Sequence, residues 1–185
     1  RRATSDLTSR AADDLFWLGR YVERLDNAAR LARSALNRME RDVLLPHELA
    51  ELSALARCLV PARLATVEDA PSGGDPAPLR RALLRAADPN GALHRSFVRI
   101  ARLVDATRDR QTGDMRDAFL APLRDMQDML PAAARDTRAL SRLLGQALRY
   151  ASGIAGVAAE NMVRGGAHTF LDLGRRLERA DAVSE

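Results

Sequence analysis

Apolar residues recur along the chain at the three- and four-residue spacing of an amphipathic helix. In the first segment of this kind, the positions that share one face are Leu18, Val22, Leu25, Ala29, Ala32 and Leu36. Ser9 precedes the segment and is a good helix N-cap. The pattern therefore predicts a long helix that begins after Ser9 and ends near Arg41.

Proline and glycine divide the rest of the chain into shorter helical segments. Pro46 opens a second helix that ends near Pro61, because proline is favoured at the first helical position. Residues 68–78 combine Pro, Gly and acidic side chains, which predicts an exposed loop. The helices predicted next span residues 79–87, 89–110, 113–130 and 131–161.

Two of these helix starts rest on proline. Asp88 and Pro89 together indicate an N-cap followed by a first helical residue, and Pro131 is interpreted as the start of another helix. A turn at residues 164–166, which read Arg-Gly-Gly, separates that helix from the last one. The last helix is predicted to begin at Ala167.

The composition fits helices throughout and excludes an all-β protein. The 185 residues include 34 Ala and 28 Leu but only 2 Ile, 2 Tyr and 1 Trp, whereas strands are rich in β-branched and aromatic residues. Ala, Leu and Arg are strong helix formers. The predicted fold class is therefore all-α, a bundle of about six or seven helices. The length is enough for one domain, which we assign to residues 1–185.

All 29 basic residues are arginine, and with 25 Asp and Glu the formal net charge is +4. Two explanations stay open. Coding bias from a GC-rich genome is the favoured one. The other is selection for bidentate contacts to carboxylate or phosphate groups, which lysine makes poorly.

One helical stripe concentrates positive charge. Residues 79–111 carry eight Arg and three Asp, and Arg95, Arg99 and Arg102 share a face. Such a basic face can contact phosphates, so a nucleic-acid-binding bundle is an alternative function. The chain has too few aromatic residues for base-stacking platforms, and a solvated charged face is the commoner explanation. Nucleic acid is therefore not the expected partner.

The most informative feature is a motif that occurs twice, 155 residues apart. Residues 18–26 read LGRYVERLD and residues 173–181 read LGRRLERAD, so Leu, Gly, Arg, Glu, Arg and Asp recur at identical spacing. Glycine in mid-helix costs about 1 kcal/mol relative to alanine, which indicates that a helix or ligand approaches closely at both sites. Glu23 lies three residues after Arg20 and can pair with it on one helix surface. The repeat predicts two pseudo-equivalent helices that are brought together in the bundle.

The repeated charges have two interpretations. In the first, they line a shared polar site for a carboxylate, a phosphate or a peptide end. In the second, the motif helices pack together and pair their charges across the seam, Glu23 with Arg179 and Glu178 with Arg24. The second is favoured because ion-pair networks imitate sites. The residues concerned are Arg20, Glu23, Arg24, Asp26, Arg175, Glu178, Arg179 and Asp181.

Other chemistry-bearing residues predict no catalytic centre. Cys58 lies among apolar residues and is interpreted as a small buried hydrophobe. Glu48 and Glu51 are expected on an exposed face. The histidines, which are scattered without a metal-binding motif, are His47, His94 and His168. We therefore expect no metal, no cofactor and no enzyme activity in this domain alone.

The single cysteine and the hydropathy pattern bear on the compartment. One cysteine allows no intrachain disulfide, which favours a reducing environment. No apolar run approaches the roughly 20 residues of a membrane span, and no signal peptide is visible. The expectation is a cytoplasmic protein that does not associate with membranes.

Two segments that contain the motif resemble a known family. Residues 9–31, SRAADDLFWLGRYVERLDNAARL, and residues 164–181, RGGAHTFLDLGRRLERAD, resemble the two Glu-Arg segments of the bacterial alpha-E domain. Residues 90–110 resemble its middle helices more loosely. The resemblance implies an all-helical domain named for its Glu-Arg motif.

The resemblance also implies an accessory role. Alpha-E domains occur beside, or fused to, circularly permuted ATP-grasp proteins and transglutaminase-like proteins. The implied function is to dock to, regulate or present substrate to an ATP-grasp type amide ligase. The implied partners are an ATP-grasp domain, fused or separate, and a transglutaminase-like protein.

Three further expectations concern the oligomeric state, an alternative function and the length of the parent protein. A homo-oligomer is one alternative arrangement, and a small-ligand-binding domain that uses the Arg-Glu cluster is an alternative function. The opening residues, RRATSDLTSRAADDLFW, resemble the junction of a fused protein. The chain is therefore expected to be the helical C-terminal part of a longer ATP-grasp fusion.

Overall fold

The computed structural model describes residues 7–41, 43–72, 74–161 and 166–184. This part of the chain contains seven α-helices. In chain order they are α1 (Ser9–Met39), α2 (Pro46–Leu59), α3 (Ala77–Arg85), α4 (Ala92–Ala106), α5 (Gly113–Ala133), α6 (Thr137–Asn161) and α7 (Gly166–Ser184). Within those ranges the only β-type pairing is an isolated bridge between Ser72 and Asp75. The prediction of an all-α bundle is confirmed.

Helix α1 is the centre of the bundle, since it packs against α2, α3, α4, α6 and α7. Its predicted apolar face is confirmed, because all six positions are at most 4% exposed. One core of buried side chains takes in residues from all seven described helices, with Leu171 as the contribution of α7. The assignment of residues 1–185 to a single domain stays a prediction.

Two helices begin later than their prolines predict. The start of α4 at Pro89 is wrong: the N–H of Gly91 donates to the carbonyl of Asp88 at 2.7 Å, which closes a turn before the helix. Asn90 sits in that turn with φ of +66°, a conformation that asparagine tolerates. The physical reason is that the chain reverses here, so Pro89 serves the turn rather than the helix.

The predicted start of a helix at Pro131 is also wrong. Pro131 lies in the last turn of α5, which continues to Ala133. The next helix begins at Thr137, and the carboxylate of Asp136 accepts a hydrogen bond from the N–H of Ala139 at 2.8 Å. Asp136 thus supplies the N-cap that a proline cannot supply.

Two other boundaries differ from the prediction. The hydroxyl of Thr8 accepts from the N–H of Ala11 at 3.3 Å, so α1 begins at Ser9 rather than after it. The loop predicted at 68–78 is shorter, because Val67–Asp69 form a 3-10 turn and α3 begins at Ala77. Residues 164 and 165 of the predicted turn lie outside the described residues.

Helix α2 overturns two expectations about burial. Cys58 is exposed rather than buried, because the inward face of this short helix is taken by Leu52 and Leu59. Glu48 is buried rather than exposed. Its carboxylate accepts from the backbone N–H of Leu45 at 2.8 Å, which completes the first turn of α2.

Candidate functional site

Gly19 of α1 and Gly174 of α7 lie where the two motif helices meet. A Cβ atom at Gly19 would overlap the carbonyl oxygen of Leu171, and one at Gly174 would overlap that of Phe16. Phe16 and Leu171 each precede their glycine by three residues, so each helix makes the same contact with the other. Only glycine allows backbones to approach this closely, which explains why both motifs contain it.

The contacts along this seam occur in the same order on both helices. At its beginning Leu7 lies against Gly166, and the two glycine contacts follow. Further along, Arg24 reaches Glu178 and Arg179 reaches Glu23. Helices α1 and α7 therefore run parallel, related by a pseudo-two-fold axis, as in the self-complementary interface of a symmetric dimer.

Glu178 receives two arginines from α1. Its Oε2 accepts hydrogen bonds from Nε of Arg20 at 2.6 Å and from Nη2 of Arg24 at 3.1 Å. Its Oε1 accepts from Nε of Arg24 at 2.5 Å. Hydrogen bonding to Glu178, with further contribution from Asp181, raises the pKa of Arg20 although partial burial opposes the shift. This guanidinium therefore stays charged at any pH at which the protein folds.

Glu23 receives the equivalent arginines from α7. Its Oε1 accepts from Nε of Arg179 at 2.7 Å, and the hydrogen bond raises the pKa of Arg179. Its Oε2 lies 3.3 Å from Nε of Arg175. That nitrogen is buried and lacks the geometry of a hydrogen bond, so this pair is an ionic contact alone. Glu23 is therefore less completely paired than Glu178.

The structure brings together the two pairs that the cross-seam interpretation names, Glu23 with Arg179 and Glu178 with Arg24. The expected pair between Arg20 and Glu23 within α1 does not form. Arg20 instead pairs with Glu178 and Asp181 of α7. The close glycine contact brings the carboxylates of Glu178 and Asp181 within reach of α1. Charge-assisted hydrogen bonds across the seam satisfy the two buried glutamates.

The two glutamates of the motifs are buried, and the charges at the recurring positions balance. Glu23 is 3% exposed and Glu178 is 7% exposed, and the charged positions that recur in both motifs comprise four arginines and four carboxylates. A carboxylate or phosphate ligand at the seam would have to displace pairs that are already made, at the cost of leaving a buried charge unpaired. The arrangement favours a clamp that fixes the register of α7 on α1.

The two aspartates of the motif depart from the two-fold symmetry. Asp26 pairs with Arg30 one turn later on its own helix, with 2.6 Å between Oδ2 and Nε. Asp181 pairs across the seam with Arg20. The position that corresponds to Arg30 in the second repeat is Glu185, which has the wrong charge to hold Asp181. This difference in the sequence explains why only one aspartate joins the seam.

The predicted basic face lies on the exposed side of α4, where Arg95, Arg99 and Arg102 line a cleft of about 650 Å³. The cleft also contains Tyr21 of α1 and Arg63 from the turn after α2. Sequence reasoning missed these two residues. Tyr21 lies inside the first motif, whereas nothing in the sequence near Arg63 indicates that the chain folds it towards α4.

Two negative findings apply to the described ranges. Among these residues no group of three or more His, Cys, Asp or Glu side chains is placed to hold a metal ion. No helix in the same part of the chain is long and apolar enough to cross a membrane.

The fold and the seam define a class of all-helical domain in which the first and last helices each carry a Glu-Arg motif and pair through it. The chain belongs to the Alpha-E family, which is described as a predicted alpha-helical domain with a conserved ER motif and whose model matches residues 7–185. The two Glu-Arg positions are residues 23–24 and 178–179.

One curated relative of this chain is a much longer protein. The chain is 29% identical over 189 residues to the uncharacterized protein Rv2567 of Mycobacterium tuberculosis, an alignment that covers 92% of this chain and 21% of that protein. The chain thus spans about a fifth of the length of that relative. No solved structure matches the chain significantly.

Proposed function

We propose that this chain is an accessory, non-catalytic helical domain that docks to, regulates or presents substrate to an ATP-grasp type amide ligase. An apolar face on α7 carries the proposal. Phe170, Leu173 and Leu177 are 37%, 45% and 41% exposed, and they lie within about 60° of one another around the helix. Clustered exposed apolar side chains mark interaction surfaces.

The repeat supports the interpretation that this face takes a partner. The residues 155 positions earlier are Leu15, Leu18 and Val22 on α1, and they are at most 1% exposed. On α1 this face is therefore packed in the core, whereas the described part of the chain does not cover its counterpart on α7. A partner that presents an apolar helical surface fits the uncovered face.

The clamp at the seam supports a positioning role for the Glu-Arg motifs. The buried glutamates hold α7 in one register, and this register fixes where the apolar face of α7 points. The motif charges are engaged with each other, so they serve the docking surface rather than a reaction. The nature of the partner rests on family context, since alpha-E domains occur beside or fused to circularly permuted ATP-grasp proteins.

Binding to a purified, circularly permuted ATP-grasp ligase tests the proposal. We expect the purified proteins to form a complex with a Kd in the micromolar range or tighter, as measured by calorimetry. The paired substitution Leu173→Glu with Leu177→Glu should abolish the complex, because it places two charges in the apolar contact. Val183→Glu is the matched control: Val183 is an exposed apolar residue of α7 on a different side of the helix.

Two results would contradict the proposal. One is the absence of a complex between the wild-type proteins. The other is a dimer of this chain alone, seen by light scattering and abolished by the same double substitution, because a second copy would then cover the face. Circular dichroism of each variant checks that the helices remain folded.

A further inference from the structure

A cleft between α1, the turn after α2 and α4 is lined by five arginines and, among the described residues, by no carboxylate. The arginines are Arg24, Arg63, Arg95, Arg99 and Arg102. Arg24 belongs both to the cleft and to the neutral seam beside it, where each recurring arginine of the motifs has a carboxylate partner; the other four arginines belong to the cleft and not to the seam. Much of the excess positive charge of the chain is therefore collected in one concave place.

We propose that this cleft binds a small ligand that carries two or more phosphate or carboxylate groups. Its volume of about 650 Å³ is in the range of small-molecule sites. The planar guanidinium group donates parallel hydrogen bonds to either kind of anion. The proposal concerns a different surface from the apolar face of α7 and does not depend on the docking role.

Three of the five arginines are free to bind an anion. Arg63, Arg99 and Arg102 have no carboxylate partner within the described part of the chain, whereas Arg24 is engaged with Glu178. Like charges that converge without a counter-charge repel one another. An anion in the cleft would relieve that repulsion, so the cleft is arranged to favour its binding.

The backbone at Arg63 gives an independent reason to see a site. Arg63 has φ of +59° in the turn that ends α2, where the N–H of Leu64 bonds to the carbonyl of Leu59 and the N–H of Arg63 bonds to that of Val60. This is the hydrogen-bond pattern of a Schellman cap, whose left-handed position usually holds glycine. An arginine here costs stability and extends a guanidinium into the cleft.

The aromatic residue of the cleft favours a small anion over single-stranded nucleic acid. The guanidinium carbon of Arg99 lies 5.2 Å from the ring centroid of Tyr21, and that of Arg24 lies 5.4 Å from it. These cation–π contacts orient the two cations. They also occupy the ring, which leaves the cleft without a free platform for stacking a base.

Titration of the full chain with two defined probes tests the site. The probes are inorganic tripolyphosphate and citrate, measured in separate calorimetric titrations at 150 mM NaCl. The single tryptophan, Trp17, lies 6.1 Å from Tyr21 between ring centroids, so its fluorescence supplies a second readout near the cleft. We expect saturable one-to-one binding of at least one probe. The probe that binds more tightly indicates whether the natural ligand carries phosphate or carboxylate groups.

Two cleft variants separate binding from stability. The double substitution Arg99→Gln with Arg102→Gln should weaken the tighter probe at least tenfold, because each charged hydrogen bond lost is worth about one order of magnitude. Arg63→Gly should weaken it roughly tenfold while raising the urea midpoint of unfolding, because glycine suits the left-handed backbone. A variant that becomes more stable and yet binds less tightly cannot owe its weaker binding to misfolding.

The matched control removes the same charge elsewhere. Arg124→Gln with Arg142→Gln alters two exposed arginines of α5 and α6 and should change the affinity by less than twofold. Absence of saturable binding by both probes would overturn the proposal, as would an equal loss in the control, which would indicate attraction to net charge alone. Stoichiometric binding of a 20-nucleotide single strand, tighter than both probes and equally weakened in the cleft variants, would assign the cleft to nucleic acid instead.

Discussion

Helices α1 and α7 carry the same motif and contact each other through the same glycines, yet one is the centre of the bundle and the other lies at its edge. Thirteen residues of α1 are buried, whereas α7 buries Leu171, Gly174 and Glu178. The motif therefore specifies the seam but not the surroundings of the helix that carries it. Whether the remaining face of a motif helix is core or surface depends on what the rest of the chain packs against it.

The largest expected effect compares two leucines at the same position of the repeat, Leu18 in α1 and Leu173 in α7. Leu18→Ala should lower the free energy of unfolding by about 3 kcal/mol, because it leaves a cavity in the core. Leu173→Ala should change it by less than about 0.5 kcal/mol, because Leu173 is 45% exposed and leaves no buried cavity when it is truncated. Urea unfolding of both variants measures the difference, and equal losses would show that α7 is buried as deeply as α1.

The second comparison concerns the glycines, where the two helices should behave alike. Gly19→Ala and Gly174→Ala should each cost about 2 kcal/mol, because the added methyl group overlaps a backbone carbonyl that moves only if the helices separate. The control is Gly156→Ala in α6, where no atom of the described residues outside the adjoining turns of the helix lies within 4 Å of the added atom. It should stabilise the protein by about 0.5–1 kcal/mol, since alanine is the better helix former.

Hydrogen exchange would show where the glycine variants open. If α7 detaches as a unit, its amides should lose protection in both seam variants while those of α4 and α5 keep theirs. A stabilising effect of alanine at either seam glycine would contradict the close contact. A loss at one glycine but not at the other would break the pseudo-two-fold symmetry.

The seam was within reach of sequence reasoning because a repeat is a long-range signal. The two copies of the motif indicated which helices meet and, in one of two interpretations, the pairs of Glu23 with Arg179 and of Glu178 with Arg24. The sequence did not indicate that Arg20 pairs with Glu178 rather than with Glu23. Amphipathic spacing indicated the buried face of α1.

The cleft was only half visible. Helical spacing places Arg95, Arg99 and Arg102 on one face of α4. Arg63 reaches the same cleft because of the backbone conformation of a turn, and helical spacing cannot predict that.

The wrong predictions of two helix starts and of the burial of Cys58 share a physical origin: each rested on neighbouring residues in the sequence, and other contacts decided the outcome. Proline at 89 and 131 is compatible with a helix start, but a turn and an aspartate cap respectively determined where the chain began its helices. Cys58 has apolar neighbours in the sequence, yet the face it occupies on α2 points outwards. Neighbours in the sequence do not reveal which face a short helix buries, since tertiary packing decides this.

The third comparison is between the two buried glutamates. A double-mutant cycle on Glu23 and Arg179 should give a coupling free energy of about 1 kcal/mol, a modest value because that arginine is largely exposed. The cycle on Glu178 and Arg24 should give a larger value, since two hydrogen bonds join this pair. In each cycle the glutamate is changed to glutamine and the arginine to alanine, and urea unfolding of the variants measures the coupling free energy. Coupling of zero in both cycles would reject the clamp.

The smallest effect concerns the far end of α1, which α2 secures. Hydrogen bonding from the N–H of Leu45 lowers the pKa of Glu48, with Arg41 also contributing while burial opposes the shift. A carboxyl group whose pKa is lower in the folded protein than in the unfolded chain stabilises the fold at pH values above the unfolded pKa, which is about 4.3 for glutamate. This stabilisation is lost as the pH falls through the pKa of the folded protein. Glu48→Gln should therefore be less stable than the wild type at pH 7, and the gap should close between pH 5 and pH 3.

The control for that measurement is Glu68→Gln, because Glu68 is exposed and pairs with no basic side chain among the described residues. Its urea midpoint should match that of the wild type at pH 7. A gap for Glu48→Gln that stayed constant from pH 7 to pH 3 would mean that the negative charge of Glu48 contributes nothing to stability, because that charge is lost over this range. In that case the contact of Arg41 with Glu48 would add nothing to stability, and the end of α1 would be joined to α2 by packing and by the ion pair of Arg38 with Glu51.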